Sequence, residues 1–328
     1  MTMLSSHLPL QQKISPRRIA ISLIGFAMPM ATIALMLFFA LNTKAFLSVD
    51  NFTALISQNA AVIIITVAFA MLLMAGYVDL SVGSVMGLTG VVAGLMFLHV
   101  GVVAGIVSAL ALGLAWGLMN GVLIGVCGLS PIVVTLGGLA AARGVALALA
   151  PNAVYGFPDF VVELGSGRIV GLAYIGWIAL AVAAAGIVVM AQTPFGKHIL
   201  AIGINARAAF LVGVRVKRTI LLLYTMTGLA VALGALLIVA RLDSAPSGTL
   251  GVGMEITVLT AALLGGIPFT GGRGSMWRVL LGIWFLIVLR NGLALMNVGT
   301  EFTNIISGSV LVAAAGLEML QMHLRKRG

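Results

Sequence analysis

Apolar runs of about 17 to 25 residues follow one another along the chain, separated by short breaks that carry most of its charges. In hydrocarbon a run of that length satisfies its own backbone as an α-helix, so the pattern dictates a bundle of membrane-crossing helices. A water-soluble surface is excluded: only 8% of the residues are charged, against the roughly one quarter that a soluble domain uses, and 61% are apolar. The 41 glycines agree, because small residues let helices in lipid approach closely.

The runs fall at 19–41, 59–75, 81–98, 102–126, 131–150, 170–191, 219–240, 255–269, 279–297 and 302–321, about ten crossings of an all-α polytopic bundle. The first follows Lys13, Arg17 and Arg18 and is too long for a cleavable signal core, so it reads as a retained helix entered from the cytoplasm. An even number of crossings brings the C-terminus back to the cytoplasm. This gives a cytoplasmic tail at 1–18, a single transmembrane domain at 19–322 and a basic cytoplasmic tail at 323–328. Charge supports the orientation. Cytoplasmic segments take Lys13, Arg17, Arg18, Lys197, Arg207, Arg215, Lys217, Arg218, Arg273, Arg278, Arg325, Lys326 and Arg327, whereas the outer loops hold Lys44, Arg168 and Arg241. With basic residues placed to set orientation, the net charge of +10 makes no case for nucleic acid. The single cysteine, Cys127, excludes an internal disulfide, and the four histidines lack ligand spacing, so no metal site is expected. A faint parallel repeat pairs Ile65-Thr66-Val67 and Gly83-Ser84 with Ile256-Thr257-Val258 and Gly274-Ser275.

The break at 192–218 is a basic polar island between two long apolar runs. Asn205 can cap a short helix over 206–212, and Gly213 supplies its left-handed stop. Ala206, Arg207, Ala208, Ala209, Phe210 and Leu211 offer small residues and an apolar wedge suited to a groove on another protein. The same helix, anchored by Arg207, Arg215, Lys217 and Arg218, also suits anionic lipid headgroups, and spacing alone leaves both open.

Thr193-Pro194-Phe195-Gly196-Lys197, Ala201-Ile202-Gly203 with Asn205, Ala208-Ala209 and Gly213-Val214 resemble the cytoplasmic loop of ATP-binding-cassette permeases for monosaccharides, the ribose, xylose and arabinose group. Val78-Asp79-Leu80-Ser81-Val82-Gly83-Ser84 is similar to that family's signature, as are Gly265-Gly266 with Gly271-Gly272-Arg273-Gly274-Ser275, Val134-Thr135-Leu136-Gly137 with Arg143-Gly144, and Asn291-Gly292-Leu293. The likeness spans 51–298 in the family's order. Trp277-Arg278 and Tyr77 depart from it where small residues are usual, which bears on local packing. The resemblance implies that 192–218 is a coupling loop docking on a separate ATPase subunit, with Gly196, Asn205, Arg207, Ala208, Ala209 and Gly213 in contact or in support. It further implies an extracytoplasmic sugar-binding protein, a second permease subunit in a homo- or heterodimer, and a bacterial inner-membrane location. ATP-Mg would be used by the partner, with no cofactor bound by this chain.

Several residues are candidates for a gate or translocation path. Asp79, with Ser81 and Gly83, either caps the third helix at an inner gate or is an ordinary N-cap facing water. Arg143 and Arg290 lie inside apolar runs, where they either line a polar path with Asn120 and Asn291 or find a carbonyl or interface. The two asparagines also suit interhelical hydrogen bonding. Gly271 and Gly272 fit a re-entrant gate or a tight loop, and no Gly-Lys-Ser/Thr ending makes the stretch a phosphate cradle. Arg241, Asp243 and Glu255 flank an outer loop that would dock a binding protein.

Three rivals stand beside an importer of a monosaccharide or related polyol. An ion-coupled transporter normally places acidic or histidine groups inside its spans, whereas the clearly intramembrane charges here are arginines. An intramembrane enzyme needs a nucleophile and base or a metal cluster, and no such set stands out. A branched-chain amino-acid permease of the same superfamily is the nearest alternative, against which the Asp79 motif argues for sugar.

Overall fold

The computed structural model describes residues 16–326. Thirteen α-helices account for most of them: α1 (Pro16–Asn42), α2 (Val49–Gln58), α3 (Ala60–Met74), α4 (Val82–His99), α5 (Val102–Gly121), α6 (Pro131–Leu149), α7 (Asp159–Ser166), α8 (Tyr174–Gln192), α9 (Pro194–Leu211), α10 (Val216–Leu242), α11 (Met254–Leu264), α12 (Met276–Leu295) and α13 (Thr300–Lys326). A π-helical turn, Val122–Val126, prolongs α5. Strands are minimal: β1 (Val154–Tyr155) pairs antiparallel with β4 (Ser244–Ala245), and β2 (Arg168–Ile169) with β3 (Leu172–Ala173). Of the expected tails, 1–15 and 327–328 lie outside the described residues, while 323–326 continue α13.

Each predicted run is helical over most of its length, but fewer helices are long and apolar enough to cross a membrane. Six qualify, α4, α5 with its π turn, α6, α8, α10 and α12, and a seventh if α2 and α3, bent by 52° at their junction, form one span. The apolar part of α1, Met28–Asn42, and α11 are shorter. Hydropathy counts apolar residues whether or not they are helical, which is why the run at 255–269 overstates α11. Gly265 and Gly266, the latter at φ +78°, end that helix, and residues 246–253 before it are irregular.

The centre of the bundle is α3, α4 and α10. Nearly every residue of α3 is buried, and α4 and α10 are 72% and 67% buried against 22% for α5 and α6, which therefore face outward. The α5–α10 contact is built from small residues: Gly113, Gly117 and Gly121 recur every fourth position and are buried against α10, while Gly105, earlier in the same row, lies against Phe97 and Ala93 of α4. A Cβ at Gly113 would strike the Gly228 carbonyl, and one at Gly117 the Tyr224 carbonyl. The backbones themselves are in contact there, so dispersion and weak Cα–H···O contacts replace the hydrophobic drive that lipid does not supply.

Gly117→Val therefore forces α5 off α10 and is expected to destabilise the purified protein by about 1–3 kcal/mol. Gly144→Val, in open space on α6, carries the same change in helix propensity without the clash. Thermal unfolding in detergent is expected to separate the two, with only the first shifted strongly downward.

Candidate functional site

Three segments singled out in the sequence converge at one end of the bundle. α9 is two helices joined by a kink at Asn205, whose backbone is extended and whose Oδ1 accepts the Ala208 amide at 3.0 Å, an N-cap bond. The short helix stops in a Schellman turn: Val214 N donates to Ala209 O, Gly213 N donates to Phe210 O, and Gly213 has φ +90°. Buried Ala209 and Val214 secure this turn, so Ala209 supports the tip and is not on its surface. Arg207 and Ala208 are exposed, as are Ile204, Phe210, Leu211 and Val212, at 67–80% for the last three. Gly196, by contrast, is buried in the first turn of α9, its amide donating to Thr193 Oγ1 at 3.3 Å.

The first half of α9 seats on two turns through Gly203. A Cβ there would collide with the Met74 carbonyl and the Gly272 backbone. Gly272 N in turn donates to Met74 O at 2.8 Å, and Gly271 lies against Gly76. Gly271 and Gly272, at φ +70° and +80°, shape the turn between α11 and α12 so that it meets the end of α3. One backbone junction thus joins α9, α3 and the α11–α12 turn.

Beyond Met74 the chain turns inward to Asp79. Asp79 Oδ1 accepts Ser81 N at 2.8 Å and Ser81 Oγ at 2.6 Å, and Oδ2 accepts Asn120 Nδ2 at 3.2 Å. Asp79 is 4% exposed and Asn120 fully buried, so this is an internal carboxylate network and not a cap facing water. The capped amide is that of Ser81. Gly83 instead lies against Gly251 and Glu255. Tyr224 Oη, on α10, donates to Val78 O at 2.8 Å and ties the same turn to the bundle centre. Asn120 Oδ1 and the nearby Trp116 Nε1 have no hydrogen-bond partner among the described residues.

Arg143 reaches across to irregular backbone. Its Nη1 donates to Ser247 O and Leu250 O, both at 2.9 Å. Residues 245–251 descend along α4, from Ala245 against Gly94 to Leu250 against Gly90 and Gly87 and Gly251 against Gly83. The four glycines form the groove that admits this non-helical strap. Arg143 satisfies carbonyls that a helix would have satisfied internally.

The other candidates are dispersed. Asn291 and Asn51 exchange side-chain hydrogen bonds of 3.0 and 3.1 Å, which binds α12 to α2. Arg290 Nη2 donates to Thr257 Oγ1 at 3.2 Å beside a small cleft lined by Asn59 and Val62. At the end opposite α9, Arg241 Nη1 approaches Gln58 O at 3.4 Å and Asp243 Oδ1 accepts Phe157 N at 2.9 Å. Glu255 is not with them: it opens α11 against Gly83, so the three residues do not form one rim. Gly203 enters the sequence reading only as part of the resemblance, and Tyr224 and the α4 groove not at all, although the spacing of Gly83, Gly87, Gly90 and Gly94 is visible in the chain. No group of three or more metal-ligating His, Cys, Asp or Glu occurs among the described residues.

Residues 51–315 match the family model described as branched-chain amino acid transport system, permease component. The chain is 31% identical to the D-allose transport system permease protein AlsC of Escherichia coli K12, with 87% of this chain and 88% of the relative covered. It is 30% identical to the autoinducer 2 import system permease protein LsrC of Escherichia coli O157:H7, with 90% of each covered. It is also 30% identical to the L-arabinose ABC transporter permease protein AraH of Azospirillum brasilense, with 88% and 85% covered. No solved structure matches it.

The Asp79–Asn120 pair gives a swap test. Asn120→Asp alone sets two carboxylates against each other and is expected to cost about 1–3 kcal/mol. The double exchange restores a donor facing an acceptor, so its measured unfolding in detergent should recover most of that loss.

Proposed function

The chain belongs to this family of transport permeases, and from that membership we propose that it is the permease subunit of an ATP-driven importer of a monosaccharide or related polyol. Two of the three relatives described carry allose and arabinose in their names, which favours sugar over the amino-acid cargo of the family's title. The α9 end is cytoplasmic in this reading, with about ten crossings and both termini on that side; the bias of lysine and arginine toward the proposed inner segments supports it.

The observation that carries the coupling role is the exposed apolar tip of α9, mounted on the Gly203 junction. Ile204, Phe210, Leu211 and Val212 are too apolar and too exposed for a loop in water, and a groove on a separate ATPase subunit covers them. Ala208 and Arg207 take part in that contact, while Asn205, Ala209 and Gly213 hold the tip in shape and Gly196 holds the entry to α9. ATP is bound with Mg²⁺ and hydrolysed in the partner. Closure of an ATPase pair pushes on α9, and the junction passes that displacement to the end of α3 and the α11–α12 turn. The Asp79 turn, fixed to α5 and α10, is the inner gate on which the motion acts. A second permease subunit completes the path. A sugar-binding protein delivers cargo at the opposite face, near Arg241 and Asp243. The sugar is carried across without chemical change.

Pull-down of the chain from native membranes in mild detergent is expected to bring an ATPase subunit with it, and Ala208→Glu to release that subunit. Recovery of the chain alone, still mediating uptake in liposomes, would overturn the reading. Gly203→Val is expected to keep the ATPase bound yet abolish ATP-driven uptake, because it separates α9 from the junction without altering the tip.

A further inference from the structure

The strap over residues 245–253 lies deep in the bundle. Arg143, which holds it, stands about 18 Å of helix rise beyond Pro131, near the middle of a hydrocarbon layer of about 30 Å. One side of the strap fills the α4 groove. The other is open: Gly248 and Thr249 are exposed, Val252 is 67% exposed, and Ile256, in the first turn of α11, is 55% exposed. Non-helical backbone cannot face lipid at that depth, because its amides and carbonyls would lack partners. Glu255 sharpens the constraint. It is half-buried, forms no hydrogen bond or ion pair with the described residues, and lies against Gly83, one turn from where Arg143 touches Gly87. Arg143 is the one charge among the described residues near enough to act on it, so the carboxylate has room for water or a polar cargo. Arg143 commits Nη1 to two carbonyls, while Nη2 reaches only Gly83 O at 3.5 Å, so donor capacity remains.

We propose that Arg143, Thr249 and Glu255 form a station for sugar hydroxyls on the open face of the strap, at mid-depth of a water-lined path. The proposal rests on the importer reading. A carboxylate accepts from neighbouring hydroxyls while a guanidinium and a threonine donate back, an arrangement that suits a polyol and gives an apolar side chain nothing. The contacts are few, and a weak, transient station is what passage requires.

The test uses the full chain with Cys127→Ser, carrying Thr249→Cys or Val252→Cys, in membrane vesicles that retain its partners. The probe is a charged, membrane-impermeant thiosulfonate, which reacts with the thiolate that forms only where water reaches. Both positions are expected to label to completion, while Val107→Cys, on the exposed apolar face of α5, stays unlabelled. Millimolar D-allose or L-arabinose is expected to slow labelling at Thr249→Cys severalfold, and Glu255→Gln to remove that protection without stopping the labelling. Absence of labelling at both sites overturns the proposal, as does a disulfide between Thr249→Cys residues of two copies, which would make the face a subunit contact. Labelling that neither sugar slows, in a chain that still co-purifies with its ATPase, overturns the station and leaves the importer reading intact. The same result without an ATPase removes both.

Discussion

Backbone touching backbone, permitted by glycine, is the interaction on which this structure depends. Lipid offers no hydrophobic reward for bringing two helices together, so close approach has to supply the cohesion. The chain arranges this at three levels. The glycine row of α5 lets it meet α10 along its length, the glycine row of α4 admits a non-helical strap, and Gly203 seats α9 on Met74 and Gly272. A Cβ at Gly113, Gly117, Gly83 or Gly203 meets main-chain atoms, which cannot rotate aside as side chains can.

Where the helical ladder is broken, polar groups have been brought in to close it. Arg143 serves the carbonyls of the strap, Tyr224 serves Val78, and Asp79 draws in Ser81 and Asn120. Such contacts are few and directional, unlike the distributed packing around them. A segment held by a handful of hydrogen bonds in a glycine groove can be displaced as a unit, whereas interdigitated helices cannot. The breaks fall between α3 and α4 and ahead of α11, which places the deformable parts of the bundle between the α9 junction and the α4 groove.

Much of this was legible in the sequence. Long apolar runs announced a helical membrane bundle, and the Asn205 cap and Gly213 stop were readable because capping is local chemistry. The runs outnumber the six or seven helices long and apolar enough to cross a membrane among the described residues, since hydropathy does not show where a helix ends, as at Gly265 and Gly266. Sequence leaves Asp79 between an inner-gate cap and an N-cap facing water, because nothing in it brings Asn120 to that turn from α5. Glu255 was assigned to an outer rim for a similar reason: the strap returns into the bundle, a path set by the α4 glycines and Arg143 and not by residues near Glu255 in sequence. Local signals survived, and those that depended on a chain doubling back did not.

The proposed transmission from α9 requires the Gly203 junction to move as one body with the α11–α12 turn. Pulsed electron-spin distance measurement tests this directly. One spin label goes on exposed Ala208, the second on exposed Phe269 of the turn or on exposed Val133 of α6, in the reconstituted complex with Cys127 replaced. Between nucleotide-free and ATP-bound states, the Ala208 to Phe269 distance should hold constant while the Ala208 to Val133 distance changes. A change in the first distance with none in the second would mean that α9 slides over the junction, and the proposed route from ATPase to gate would be wrong.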